Sequence, residues 1–210
     1  MITTIEKNIK YSEKFIQPIN NFRVPKEVKK IILNAKVKSM IDLGCGEGAM
    51  IRAIKKEFPK VKLTGIDISP RRINCLKKRL PKDKFYIKDV CNTNIKEKFD
   101  FIYSSQVIEH VQSDKKMIKE MSRLLKKNGI LFCSSVIKKP WAIYKYRNNR
   151  KFVLDPTHEK EYKNAKEFLE LFKVDFKLIS YRINQTRRIK FGITFKIPGF
   201  YEISGIWRKR

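Results

Sequence analysis

Three groups of residues in this chain of 210 residues stand where chemistry could be done. The first is a glycine loop, Asp42-Leu43-Gly44-Cys45-Gly46-Glu47-Gly48. Glycine lets a backbone turn tightly and come close to a ligand. A dinucleotide site spaces its glycines G-x-G-x-x-G and rests a pyrophosphate on a helix N-terminus. Here the spacing is G-x-G-x-G, and Glu47 lies inside the loop. A diphosphate would be repelled by that carboxylate, whereas a ligand with a cationic centre and an amino group would tolerate it. The second group is a pair of aspartates. Asp67 follows Gly48 by 19 residues, where a carboxylate can accept both hydroxyls of a ribose, and Ile68 beside it could pack on a purine face. Asp89 could accept from an exocyclic amino group, with Val90 against the ring. Taken singly, each has a plain structural account: a tight turn, a charge at a helix N-terminus before Pro70, a loop aspartate. The third group is Gln106-x-x-Glu109-His110 with Asp155-Pro156-Thr157-His158, which between them hold both histidines of the chain. Imidazole titrates near neutrality and so suits proton transfer.

The elements that must hold these residues alternate. Ser39–Leu43, Val61–Ile66, Lys84–Ile87, Phe99–Ser104 and Ile130–Val136 read as strands. Ala49–Phe58, the segment from Ser69-Pro70 to about Leu80, and Ser113–Lys127 read as helices, the last stopped by Asn128-Gly129. The pattern predicts an α/β fold: a doubly wound, mostly parallel, seven-stranded sheet of Rossmann-like type, helices on both faces and an antiparallel C-terminal strand. Ligands on such sheets sit at the carboxyl ends of the strands, where each of the three groups falls. Upstream, residues 1–37 form a helical lead-in, with Val28, Ile31 and Ile32 on one face after Pro25. Residues 138–163, with Trp141, Tyr144 and Tyr146, break the rhythm as an insertion or lid. Residues 164–210 add a helix that turns Ala165, Phe168, Leu169 and Phe172 inward. Two strands follow, near Phe176–Ile183 and Phe200–Trp207, with Pro198-Gly199 as a turn signal. The whole is expected to be one domain over 1–210, with 38–137 as its ligand-binding core.

In this order the motifs resemble the class I S-adenosylmethionine-dependent methyltransferases over about residues 38–137. The resemblance implies that Gly44, Gly46 and Gly48 hold the methionine portion of S-adenosylmethionine, that Asp67 binds its ribose and that Asp89 contacts its adenine. Asp42 matches the acidic residue that opens the family's first motif, and Cys45, Ile68, Val90, Ser105 and Gln106 join the expected cofactor-binding set. The run Phe99–Val111 resembles the small-molecule subgroup of ubiquinone-biosynthesis type (type 11), whose fourth strand ends in a similar S-x-V-x-E-H sequence. Some relatives carry E-x-x-E-H there and bind a divalent metal with a later histidine. Gln106 replaces the first of those carboxylates, so no metal is assigned, and whether Glu109, His110 and His158 hold one stays open. His110 is expected as the base or orienter of the acceptor, with His158 second and Glu109 beside them. The implied reaction is O-methylation of a small molecule, lipid or glycan. RNA methylation, such as at a ribose 2′-oxygen, and a non-catalytic cofactor-binding scaffold are the alternatives.

Composition narrows the field further. At 42% hydrophobic and 33% charged residues the chain is of ordinary globular type. No apolar run has the roughly 18–20 residues a membrane span needs, and the first residues lack a signal-peptide core, so a cytoplasmic protein, monomer or homodimer, is expected. Cys45, Cys75, Cys91 and Cys133 include no C-x-x-C pair, which argues against a zinc ribbon. The net charge of +28 invites a nucleic-acid reading. It is spread along the chain, however: 22 basic and 11 acidic side chains over residues 38–137, and 19 and 7 over 138–210. The fourth strand also lacks the Asp/Asn-Pro-Pro-aromatic ending of base-amino methylation, so nucleic acid is not favoured as the acceptor.

Overall fold

A computed structural model describes residues 3–14, 22–142, 146–148, 151–153, 155–190 and 193–210. Helices α1 (Thr4–Lys14) and α2 (Lys26–Asn34) precede the alternating core. That core runs β1 (Ser39–Leu43), α3 (Ala49–Glu57), β2 (Lys62–Asp67), α4 (Pro70–Arg79), β3 (Lys84–Ile87), β4 (Phe99–Ser105), a 3₁₀ turn at Ile108–His110, α5 (Asp114–Leu124) and β5 (Leu125–Lys138). A small pair, β6 (Tyr146–Asn148) and β7 (Lys151–Val153), comes next, then α6 (Ala165–Glu170), β8 (Phe176–Lys190) and β9 (Ile193–Lys209).

Seven strands form one sheet in the order β3-β2-β1-β4-β5-β9-β8. The first five are parallel to one another, and β9 runs antiparallel to both β5 and β8. Successive side chains of a strand point to opposite faces, and the burial follows that rule. Met40, Leu63 and Phe101 pack on one face with Val28 and Ile31 of α2, Ile54 of α3 and Ile73 and Leu76 of α4. Ile41, Leu43 and Ile102 pack on the other with Met117 and Met121 of α5 and Phe168 of α6. The expected doubly wound sheet with an antiparallel C-terminal strand is therefore the architecture found. Both short helical caps also act as their residues suggest: Ser69 Oγ accepts from Arg72 N at the start of α4, and Ser113 Oγ accepts from Lys116 N at the start of α5.

Three boundaries differ from the sequence reading. Helix α5 ends at Leu124, short of Lys127, because Leu125 turns into the core and pairs with Phe99 as the first residue of β5. Lys209 Nζ donates to the carbonyls of Ser122 (2.5 Å) and Leu125 (2.9 Å), supplying the cation a helix C-terminus favours from a residue distant in sequence. Asn128 takes a left-handed φ of 61° inside β5 and does not stop a helix. Pro198-Gly199 is likewise no hairpin turn. It lies within β9, where the register against β8 slips between Gln185 and Arg187, so the pair makes a bulge. Gly199 has φ 74°, and a Cβ there would lie 2.3 Å from that of Ala142. Of the aromatic trio expected in the lid, Trp141 is exposed, Tyr146 pairs through its backbone with Val153, and Tyr144 lies outside the described residues.

The C-terminal strands are fastened by aromatic packing. Trp207 is 1% exposed and stacks on Phe172 at 4.2 Å between ring centroids, with Phe168 edge-on at 6.0 Å. Truncating a fully buried large aromatic leaves a cavity and typically costs about 3–5 kcal/mol. Trp207→Ala is expected to lower the unfolding free energy by about that amount, read from chemical denaturation followed by circular dichroism.

Candidate active site

The order of the sheet reverses beside β1, whose neighbours β2 and β4 carry the chain away on opposite sides. Loops leaving such a point diverge and open a crevice at the carboxyl ends of the strands. A cleft of about 490 Å³ lies there. The glycine loop forms one wall. Gly44 N and Cys45 N both donate to Ile66 O at 2.8 Å, tying the loop to β2. Gly44 has φ 79°, and a Cβ on it would come within 2.3 Å of the Val107 side chain, so only glycine fits. Gly48, at φ 74°, caps α3, and a Cβ there would strike Leu76 at 2.4 Å.

Asp67 ends β2 and is 6% exposed. Its Oδ2 accepts from Gly46 N (2.8 Å) and its Oδ1 from Ser69 N (2.9 Å). A carboxylate has about four lone-pair directions, so the two bonds that fix the loop leave acceptor capacity toward the cleft. Asp89 sits after β3, where its Oδ1 accepts from Cys91 N at 2.8 Å. Gln106, just past β4, is held at φ 57°, a conformation that costs a non-glycine residue energy and clusters at functional sites. Its amide Nε2 reaches Ser134 Oγ at 3.4 Å.

Six of the expected cofactor contacts face the cleft: Gly44, Asp67, Ile68, Asp89, Val90 and Gln106. Gly46 and Gly48 shape the loop from behind. Cys45 is buried, and burial pushes its thiol well up, which leaves it unsuited as a nucleophile. Ser105 faces Ser134, with the two hydroxyls 2.8 Å apart. Asp42 is 3% exposed beneath the loop, and burial, with the Asp67 charge second, pushes its pKa up to about 8. Glu47 is matched by a cation: Arg72 Nε lies 3.7 Å from its Oε1. That pairing weakens the repulsion expected from the loop's acidic residue, and it brings Arg72 to the cleft wall.

The third group of residues separates by depth. His110 lines the cleft and is half-buried. Its pKa is depressed to about 4, chiefly by burial and then by neighbouring His158, against the opposing charge of Asp155 and a backbone hydrogen bond with Thr157. At neutral pH the ring is therefore an uncharged proton acceptor. Its Nδ1 lies 3.0 Å from Thr157 Oγ1. Glu109 and His158 lie deeper, at 0% and 5% exposure. Glu109 Oε2 accepts from Ser135 Oγ at 2.9 Å, while Oε1 is buried with no hydrogen-bond partner. Burial dominates its pKa, pushing it up to about 7. His158 Nδ1 meets Glu161 Oε1 at 2.6 Å. One donor atom from each of Glu109, His110 and His158 lies within 4.8 Å of the other two. An orphaned buried carboxylate oxygen and a histidine held by a second carboxylate suit a divalent cation, so these three residues could hold one.

The sequence did not point to the opposite wall, which helix α1 builds. Thr4, Ile5, Asn8, Tyr11 and Ser12 face the cleft, and Asn8 Nδ2 donates to His110 O at 3.0 Å. From the 138–163 insertion, Asp155 and Thr157 reach the cleft.

A parallel sheet in this order, a glycine loop at its switch point and an aspartate closing the next strand define a class, the Rossmann-like methyltransferase fold. Solved structures agree on the fold. TehB from Haemophilus influenzae superposes with a TM-score of 0.69 at 18% identity, covering 95% of this chain and 66% of that one. MccD gives 0.68 at 15% identity, covering 90% and 100%. Residues 41–133 match the family described as a methyltransferase domain. A ubiquinone biosynthesis O-methyltransferase of Pelagibacter ubique is 32% identical over an alignment of 156 residues that covers 64% of this chain and 64% of that protein. A malonyl-[acyl-carrier protein] O-methyltransferase of Ilyobacter polytropus is 25% identical over an alignment of 150 residues that covers 69% of this chain and 55% of that one. The chain thus spans a little over half to just under two thirds of the length of these two relatives.

Asp42 yields a pH dependence. A carboxyl whose folded pKa of about 8 stands above its ordinary 3.8 holds extra protons in the folded state between those values. Stability therefore falls as pH rises from about 4 toward 8. Asp42→Asn, which cannot ionise, is expected to flatten that part of the decline in a series of thermal midpoints measured without ligand.

Proposed function

We propose that the chain binds S-adenosylmethionine in the switch-point cleft and transfers its methyl group to an oxygen of a small-molecule, lipid or glycan acceptor. The observation that carries this reading is the order of groups along one cleft: Gly44, Asp67 and Asp89 at successive strand ends, with His110 beyond them. The glycine backbone and Asp67 would seat the methionine and ribose portions, and Asp89 with Val90 the adenine. Ile68 and Gln106 would complete the contact, while Asp42, Cys45, Gly46, Gly48 and Ser105 support it from behind. The O-methyltransferase names of the two curated relatives favour an oxygen acceptor. The four free cysteines suit a reducing compartment, and the proposal places the reaction in the cytoplasm. No helix of the described residues is long and apolar enough to cross a membrane. The proposed enzyme acts as a monomer or homodimer.

In this reading the sulfonium supplies a methyl group already activated for transfer. The protein holds the acceptor in line with the S–CH₃ bond, an orientation worth roughly 7–11 kcal/mol. His110 takes the hydroxyl proton as the C–O bond forms. The oxygen becomes strongly acidic as it is methylated, so even a base weakened by burial can serve. A second reading assigns His110, Glu109 and His158 to a divalent cation that orients the acceptor oxygen, and the orphaned Glu109 Oε1 favours it. Calorimetric titration with Mg²⁺ and Zn²⁺ separates the two. Stoichiometric binding lost in His158→Ala supports the cation, and absence of binding to the wild-type chain leaves His110 as a base.

The test is calorimetry with S-adenosylmethionine followed by a radiolabelled methyl-transfer screen of fractionated cell extract. Binding is expected, with label in a small-molecule, lipid or glycan fraction. Label in RNA would move the acceptor to the nucleic-acid alternative, and no cofactor binding would leave a scaffold. Asp67→Ala is expected to weaken cofactor binding by about 100-fold, or ~2.7 kcal/mol. With an acceptor in hand, His110→Ala should lower turnover by about 10²- to 10⁴-fold while leaving cofactor affinity within a few fold.

A further inference from the structure

The cleft-facing histidine is tied to the N-terminal helix through three side chains. Tyr11, on α1, donates its phenolic proton to Asp155 Oδ2 at 2.7 Å. Asp155 Oδ1 accepts from Thr157 N (2.8 Å) and from the Thr157 hydroxyl. Thr157 Oγ1 in turn lies 3.0 Å from His110 Nδ1. A threonine hydroxyl has one proton, and here the carboxylate holds it. Thr157 Oγ1 can then only accept from the ring. The direction of the chain is fixed from end to end.

We infer that Asp155 and Thr157 are positioning residues that hold His110 as its Nδ1–H tautomer, and that docking of α1 through Tyr11 completes this arrangement. The consequence is that Nε2 carries the ring's lone pair. That nitrogen is the one a base, or a ligand to a cation, must present, so the inference deepens the proposed role of His110 and rests on it. The tautomer itself can be read without cofactor or acceptor.

The way α1 is held makes it the movable member. Within the helix only Ser12 is buried, and Ile5 is 40% exposed. Among the described residues, polar links join it to the rest of the chain: Asn8 to His110 O (3.0 Å), Tyr11 to Asp155 (2.7 Å), Thr4 Oγ1 to Glu159 Oε1 (3.3 Å), Gln112 Nε2 to Thr4 Oγ1 (3.1 Å), and Arg71 to Glu13 O (2.9 Å). Elements that bury little apolar surface open most readily. Helix α1, which walls the cleft, is thus also the element whose docking orders the histidine.

Long-range ¹H–¹⁵N spectra of the full chain at pH 7 test this directly, since there are only two imidazoles to observe. His158→Gln leaves the His110 signals and assigns them. The wild-type chain is expected to show His110 protonated at Nδ1. In Asp155→Ala the Thr157 hydroxyl is free to turn and donate to the ring, so the population should shift toward Nε2–H. Thr157→Val should shift it too, and Thr157→Ser, which keeps the hydroxyl, should not. Tyr11→Phe should give a smaller shift in the same direction as Asp155→Ala, with faster proteolysis at Lys7, Lys10 or Lys14. Circular dichroism checks that each variant is folded. An Nε2–H ring in the wild-type chain, or an unmoved ring in folded Asp155→Ala, overturns the inference while leaving the methyl-transfer reading standing. Failure of cofactor binding would remove that reading and leave the tautomer result intact.

Discussion

The site depends on the two backbone hydrogen bonds that Asp67 accepts. Its Oδ2 holds Gly46 N and its Oδ1 holds Ser69 N, so one carboxylate joins the glycine loop to the start of α4. Those two segments leave neighbouring strands and would otherwise diverge. Once they are tied, Gly44 sits in its left-handed conformation against Val107, Gly48 caps α3 against Leu76, and Arg72 on the first turn of α4 reaches Glu47. The carboxylate is nearly buried, and its charge is met by oriented N–H dipoles. What remains of its accepting capacity faces the cleft. One group thereby sets the shape of the loop and offers the contact expected for a ribose.

Beneath it, Asp42 takes the opposite part. It has the same charge type, stands close enough to be destabilised by Asp67, and is driven toward its neutral form. Two acids at the ends of adjacent strands thus divide into one that organises backbone and one that burial drives toward its neutral form. Environment separates such pairs more than residue type does. Burial also favours the uncharged forms deeper in the cleft, lowering the pKa of His110 at the surface of the site and raising that of Glu109 behind it.

Much of this was legible because it is local. The glycine loop, Asp67 and Asp89 each sit at the end of a strand whose apolar run marks it, and the alternation of strands and helices fixes the sheet as parallel. The helix-to-strand boundary at Leu125 was not legible. Lys126, Lys127 and Asn128 continue a helical pattern, and the cation that closes the helix comes from Lys209. Pro198-Gly199 reads as a turn in isolation, and only the register of β9 against β8 shows it to be a bulge. Helix α1 was hidden for another reason. Of its cleft-facing positions Thr4, Ile5, Asn8, Tyr11 and Ser12, only Ile5 is aliphatic, so no apolar period marks the face it turns inward. The loop shows the charge of Glu47 but not its partner, since Arg72 lies 25 positions away in sequence.

The position of β9 bears on how the molecule is made. It lies between β5 and β8, both of which precede it in the chain. On a ribosome, β8 emerges with no sheet neighbour and must wait for the segment that follows it. The edge of β5 waits as well, since all of Ile130–Lys138 is paired by β9. Until Trp207 arrives, Phe168 and Phe172 lack the ring that they pack against. Vectorial synthesis therefore delivers the ligand-binding half of the sheet first and leaves two exposed strand edges, which a nascent chain would need shielded from neighbouring polypeptides.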